Sequence, residues 1–198
     1  MSASLPIVVG LTGASGAPYA VSLLRELLKA ERDVALVISK FGWRLLRTES
    51  AIDDLAALQE AVGAKAWEKF VRLYENDDRG AQPASGSWPT AGMVICPCSM
   101  GTLSAVSVGS SRSLIERAAD VTLKERRKLI LVPRETPMSA IHLENMLRLV
   151  RAGAVVMPAA PGYYHKPQSI QDLVDFIVAR VLDHLDVEHS VGKRWGGS

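Results

Sequence analysis

The sequence predicts a doubly wound α/β domain, a mainly parallel sheet with helices on both faces. Short apolar runs rich in β-branched residues alternate along the chain with segments whose apolar residues recur at helical spacing. The runs are apolar throughout rather than alternating, as strands covered on both faces require. No Pro/Gly-rich linker and no internal repeat divides the 198 residues, so one domain over residues 1–198 is expected.

Ile7 to Leu11 is the first strand and ends in Thr12-Gly13-Ala14-Ser15-Gly16. Tyr19, Leu23, Leu24, Leu27 and Leu28 then mark a helix. Val34 to Ser39 is the second strand, and Trp43, Leu45 and Leu46 open another helical stretch. Ala51 to Glu68 reads as helix interrupted at Gly63, and Phe70 to Glu75 as a third strand. Asn76 to Thr90, with Asp77, Gly80, Pro83, Gly86 and Pro89, is a long loop of the kind that often carries function. Met93 to Cys96 is a strand, with a helix starting near Ser99. Leu114 to Arg127 is a helix, Leu129 to Val132 a strand, Ser139 to Arg151 a helix and Ala154 to Met157 the last strand. Ser169 to Leu185 is a long amphipathic helix with Leu173, Phe176, Ile177, Val181 and Leu182 on one side.

A net charge of +2, from 23 basic and 21 acidic residues, gives no global attraction to nucleic acid or membrane. The N-terminus enters a strand at once without a signal-like segment, and no apolar run approaches the roughly 20 residues of a spanning helix. Cys96 and Cys98 are too few and too close for a disulfide framework, which points to a reducing cytoplasmic setting. They read as buried, inert thiols, because no second cysteine pair or spaced histidines complete a metal site.

In a doubly wound sheet, ligands sit just beyond the carboxyl ends of the strands. Gly13-Ala14-Ser15-Gly16 can bring backbone N–H groups and a hydroxyl to an anion at a helix N-terminus, or simply form a tight turn with Ser15 as N-cap. The second strand ends in Ser39-Lys40, where a dinucleotide protein would carry an acid; a mononucleotide is compatible. Ser99 and Thr102 suit a phosphate or a flavin edge. The charged stretch from Ile115 to Arg127 has a plain reading as a solvated face with ion pairs. Between Pro133 and Pro137, Arg134 can fork onto a phosphate or carbonyl, and Glu135 could move protons; a structural Arg–Glu pair is the alternative. Tyr163 and Tyr164 follow a rigid turn, Arg180 lies at the edge of the last helix's apolar stripe, and Trp195 stands in a short polar tail. His142, His184 and His189 lack partner spacing and read as surface or helix residues.

Taken together, Gly13 to Gly16, Ser39, Glu49, Cys96 to Ser104, Leu114 to Arg127, Val132 to Glu135, His142 to Met146 and Pro158 to Tyr164 resemble the UbiX-type flavin prenyltransferases, in order and nearly end to end. The resemblance implies a Rossmann-like flavoprotein that binds FMN, joins dimethylallyl monophosphate to the reduced flavin at N5 and C6 without a metal, and supplies the product to a UbiD-type decarboxylase. It also implies a homo-oligomer, a dodecamer built from trimers. It carries over flavin contacts to Gly13, Ala14, Ser15, Ser39, Ser99, Met100, Gly101, Thr102 and Arg134. Prenyl-phosphate contacts carry over to Arg117, Lys124, Glu135, Tyr164 and Arg180, with Trp195 helping to close the site. Ser15, Glu49 and Glu135 match positions tied to the chemistry. A flavin-dependent cysteine decarboxylase is the rival within the same superfamily, but Ser39-Lys40-Phe41-Gly42 holds no histidine and Pro97-Cys98-Ser99-Met100 departs from its signature. A flavin-binding scaffold subunit would not need Lys124, Glu135, Tyr164 and Arg180 together, and direct decarboxylation of hydroxyarenoic acids would need no partner enzyme.

Overall fold

The computed structural model describes residues 5–192. In it, Ile7–Leu11 forms β1 and is buried along its whole length. Two parallel strands flank it, Val34–Ile38 (β2) and Gly92–Cys98 (β4), both fully buried. Val71–Glu75 (β3) lies outside β2, Leu129–Pro133 (β5) outside β4, and the two-residue Val155–Val156 (β6) closes the far edge. The order β3-β2-β1-β4-β5-β6 is parallel throughout, and the direction of winding reverses between β1 and β4.

Because side chains alternate along a strand, each strand feeds two cores. Ile7, Val9, Leu11, Leu36, Val94 and Val132 point to one face. There they meet Ala17–Lys29 (α1), Lys40–Ser50 (α2), Leu55–Val62 (α3), Ala64–Phe70 (α4) and Ile170–His184 (α8). Val8, Val37, Met93, Ile95 and Leu131 point to the other, beneath Met100–Ser107 (α5), Leu114–Lys124 (α6) and Ala140–Arg151 (α7). Cys96 and Cys98, two apart, fall into opposite cores.

Element by element the sequence expectation holds, with differences at boundaries. Ser39 is not the last strand residue: it is the N-cap of α2, its hydroxyl accepting from Gly42 N–H at 3.0 Å. Gly63 separates α3 from α4 at φ 110, a conformation only glycine adopts cheaply. The buried stripe of α8 is Val174, Ile177, Val178, Val181 and Leu182, so Leu173 and Phe176 flank it rather than lead it. The Asn76–Thr90 segment is tied down: Asn76 C=O accepts from Leu114 N–H at 2.7 Å, Arg127 donates to the carbonyls of Gly86 and Trp88, and Pro83 and Ala84 are buried. Helix α6 is more than a solvated face, since Leu114, Ile115, Ala118, Ala119, Val121 and Thr122 are buried against the sheet. It does carry ion pairs at helical spacing: Arg117–Asp120 on its half-exposed side, and Arg112, just before the helix, with the buried Glu116.

Candidate functional site

Where the winding reverses, the loops after β1 and β4 part and leave a cleft of about 240 Å³. Thr12 stitches its floor. Its buried hydroxyl donates to Pro97 C=O at 2.9 Å and accepts from Ser99 N–H at 2.8 Å, locking the end of β1 to the start of α5. The N-termini of α2, α5 and α6 open on this cleft through their caps Ser39, Ser99 and Ser113. Each cap hydroxyl takes one N–H of its own helix, which leaves other first-turn N–H groups and the positive dipole ends for a ligand. Ser99 also donates to the Thr102 hydroxyl at 3.0 Å.

This donor set suits a phosphate on a hydroxylated chain, as in a flavin mononucleotide. Space agrees with chemistry. A Cβ on Gly101 would meet nothing closer than Ser99 Oγ at 4.0 Å, so the first turn of α5 is open to a ligand. A Cβ on Gly13 would stand 2.5 Å from Phe41 Cβ, so only glycine lets the β1 loop pass beneath that ring.

Beside the cleft, Glu49 reaches from the last turn of α2 to the first turn of α1. Its Oε2 accepts from Gly16 N–H at 2.8 Å and Ala17 N–H at 2.9 Å. Ser15 is therefore not the N-cap of α1; Gly16 holds that position at φ 135, and Glu49 supplies the missing acceptor. Ser15 instead turns its hydroxyl to Glu49. Burial pushes the Glu49 carboxyl up, but the two backbone N–H groups, the Ser15 hydroxyl and the charge of Arg134 together hold it below the ordinary carboxylate range. Arg134 Nε donates to Ser15 C=O at 3.3 Å, which brings the end of β5 to the same place. Next to it, the half-buried Glu135 carboxylate accepts from Thr136 N–H at 3.1 Å. Ser15, Glu49 and Arg134 are thus one linked group, with Glu135 adjoining, and Gly13, Ser39, Ser99 and Thr102 line the neighbouring cleft. Ala14 and Met100 are buried at the turns that build it.

The remaining predicted residues lie elsewhere on the chain. Lys124, ion-paired with Glu125, ends α6 before the start of β5, at the end of the strands opposite the cleft. Arg117 sits in the first turn of α6, next to the cleft-lining Glu116, with its guanidinium 2.8 Å from Asp120. Tyr164 and Arg180 line a separate cavity of about 590 Å³, with Phe176 and His165, that shares no residue with the cleft. Tyr164 meets the rings of His165 and Phe176 edge-on, at 5.4 and 5.8 Å. Trp195 lies outside the described residues.

Sequence reasoning missed Thr12, Asn76, Ser113 and Glu116, all at the cleft. Ser113 was findable, because Ser-x-x-Glu before an apolar run is a helix-start signal. His189 was also misjudged: its side chain is 3% exposed and its Nε2 lies 3.1 Å from Asp183 Oδ1. Among the described residues no cluster of three or more His, Cys, Asp or Glu is placed to hold a metal, and no helix is long and apolar enough to cross a membrane.

A family model described as Flavoprotein matches residues 1–182. The flavin prenyltransferase UbiX of Pseudomonas aeruginosa is 51% identical over 203 residues, spanning 99% of this chain and 96% of its own. That of Methanocaldococcus jannaschii is 45% identical, spanning 97% and 99%. Among solved structures, AnUbiX (PadA1) in complex with FMN and dimethylallyl pyrophosphate superposes with a TM-score of 0.88 at 40% identity, covering 98% of this chain and 99% of that one. A dodecameric FMN-dependent UbiX-like decarboxylase from Escherichia coli O157:H7 also gives 0.88 at 40%, covering 98% and 100%. A PPC decarboxylase superposes with 0.60 at 16% identity, a likeness of fold alone.

Proposed function

The chain belongs to the flavoprotein family and, within it, to the flavin prenyltransferases of the UbiX type, and on that premise we propose that it transfers a dimethylallyl group from dimethylallyl monophosphate to reduced FMN. The bound flavin supplies N5 as nucleophile and C6 as the second point of attachment, while the C–O bond to phosphate breaks and inorganic phosphate leaves. The observation that carries this reading is the near-full-length identity to flavin prenyltransferases, with Ser15, Glu49 and Arg134 gathered beside a phosphate-suited cleft.

Each residue has a task in this reading. Gly13, Ser39, Ser99, Gly101 and Thr102, with the N-termini of α2, α5 and α6, hold the FMN phosphate and polyol chain. Ala14 and Met100 shape the turns that build the cleft. Glu49 fixes the β1 loop and the Ser15 hydroxyl, so that both are set before the flavin arrives. Arg134 faces developing negative charge, and Glu135 moves a proton between the reacting nitrogen and the leaving phosphate. Lys124, Arg180, Arg117 and Tyr164 bind the prenyl phosphate, and Trp195 covers the site. Positive charge from Lys124, Arg134 and Arg180 meets the leaving group, so this chemistry needs no metal.

Lys124, Tyr164 and Arg180 stand apart from the flavin cleft on a single chain, so in this reading neighbouring copies deliver them. An exposed apolar stripe on α7 supports assembly: Leu143, Leu147 and Val150, at helical spacing, are each about half exposed. We place this homo-oligomer, a dodecamer, in the cytoplasm, with a UbiD-type decarboxylase as recipient of the prenylated flavin.

The test is anaerobic incubation with reduced FMN and dimethylallyl monophosphate, followed by mass spectrometry of the released flavin. A flavin heavier by one five-carbon unit is expected, and Glu135→Gln should slow its formation at least tenfold, within the roughly 10²–10⁴-fold contribution of general acid–base catalysis. Unmodified FMN from folded, flavin-bound protein would sink the reading. Release of carbon dioxide from a hydroxyarenoic acid by this protein alone would favour direct decarboxylation instead.

A further inference from the structure

After α8 the chain reverses at Asp186, which has φ 54, and runs back along the helix it has just left. Val187 is buried and its N–H donates to Leu182 C=O at 3.1 Å. A Cβ on Gly192 would stand 3.5 Å from Ala179 Cβ, so residues 187–192 cover the outer side of α8. This return places His189 against Asp183, with its ring almost wholly enclosed. His189 Nδ1 accepts from Val191 N–H at 3.2 Å, so the ring proton of the neutral imidazole is on Nε2, which donates to Asp183 Oδ1 at 3.1 Å. The other carboxylate oxygen, Oδ2, lies 3.7 Å from Arg180 Nη1.

We infer that Asp183 and His189 are positioning residues that set the Arg180 guanidinium for the prenyl phosphate. The inference rests on the prenyl-transfer reading of Arg180. An exposed arginine paired with one carboxylate on its own helix holds no fixed orientation, because such surface pairs are weak and the side chain is long. Here the carboxylate is itself fixed by an enclosed imidazole, which is in turn fixed by the main chain. The same logic orients ligand groups around metal centres through a carboxylate–histidine pair. Arg180 therefore meets the phosphate with part of its freedom already removed, and binding is tighter by the entropy it no longer loses. Tyr164 and Phe176 form the aromatic wall of the same cavity, where the allyl group's apolar carbons fit.

The experiment is calorimetric titration of dimethylallyl monophosphate into the full-length protein loaded with oxidised FMN, which binds without turnover. Asp183→Asn and His189→Leu should each weaken the dissociation constant about threefold to tenfold. FMN content and oligomer mass should stay as in the wild type. His189→Gln should keep near-wild-type affinity, since its amide can replace the Nε2–H donor. In an Arg180→Ala background, Asp183→Asn should add nothing further. Additive losses in that double variant, or unchanged or tighter binding in Asp183→Asn, would overturn the inference while leaving prenyl transfer intact. Should Asp183→Asn not assemble, His189→Leu carries the same cycle. A wild-type protein that neither binds dimethylallyl monophosphate nor alkylates FMN would instead remove the prenyl-transfer reading, and this inference with it.

Discussion

Glu49 belongs to α2 but serves α1, and that displacement explains both its charge and its place in the site. Its pKa is lowered, so its contribution to stability is present above the ordinary carboxylate range and is lost as pH falls through the lowered value. Glu49→Gln keeps an acceptor and loses the charge. Urea midpoints measured across an acid series should show the variant below wild type near neutrality and converging on it at low pH. The two thiols behave in the opposite sense. Burial pushes Cys96 up to about 12 and raises Cys98 as well. Stability from these neutral thiols is complete below the ordinary thiol range and is lost as pH rises toward those values. Iodoacetamide at pH 8 should leave both unmodified in the native protein and modify both in urea, read by mass. Residue types at the strand ends were legible in the sequence, because doubly wound folds place ligands there. The role of Glu49 was not, since its partners Gly16 and Ala17 are more than thirty positions away; only the family resemblance singled it out.

At the scale of elements, the joint between β1 and α5 decides whether the cleft keeps its shape. Thr12→Val preserves volume but leaves the partly buried Ser99 N–H without its acceptor and Pro97 C=O with the Thr12 backbone N–H alone. The loss should be about 1–3 kcal/mol in urea unfolding. FMN affinity should fall with it, because the α5 N-terminus is no longer held against β1; fluorescence titration of FMN measures that. Periodicity made nearly every helix and strand readable, and the misses have local causes. The stripe of α8 was rotated because Leu173 and Phe176 are as apolar as the buried Val174 and Val178, and period alone does not choose between adjacent rows. The segment from Asn76 to Thr90 looked free because its anchors, Leu114 and Arg127, are long-range partners.

For the whole molecule, the resemblance named candidate residues such as Ser39 and Lys124 but not Thr12 or Ser113 at the cleft, and one chain holds those candidates in separate places. That follows from topology: α6 runs back against the strands, so Lys124 emerges at their amino ends, remote from the cleft at their carboxyl ends. If copies complete each other, the exposed stripe of α7 is where a charge should do most harm. Leu147→Glu should lower the mass measured by light scattering and abolish flavin alkylation while monomeric FMN binding persists.

The central place of β1 has one more consequence, for biosynthesis. Residues 7–11 are made before the rest of the sheet, and their β2 edge is satisfied once residue 38 has emerged. Their other edge waits for β4, which begins at Gly92. At about 5–20 residues per second, a nascent chain carries an apolar strand with one open side for several seconds. Ribosome-bound chains stalled before residue 92 should therefore recruit chaperones, and chains stalled well beyond residue 98 should release them.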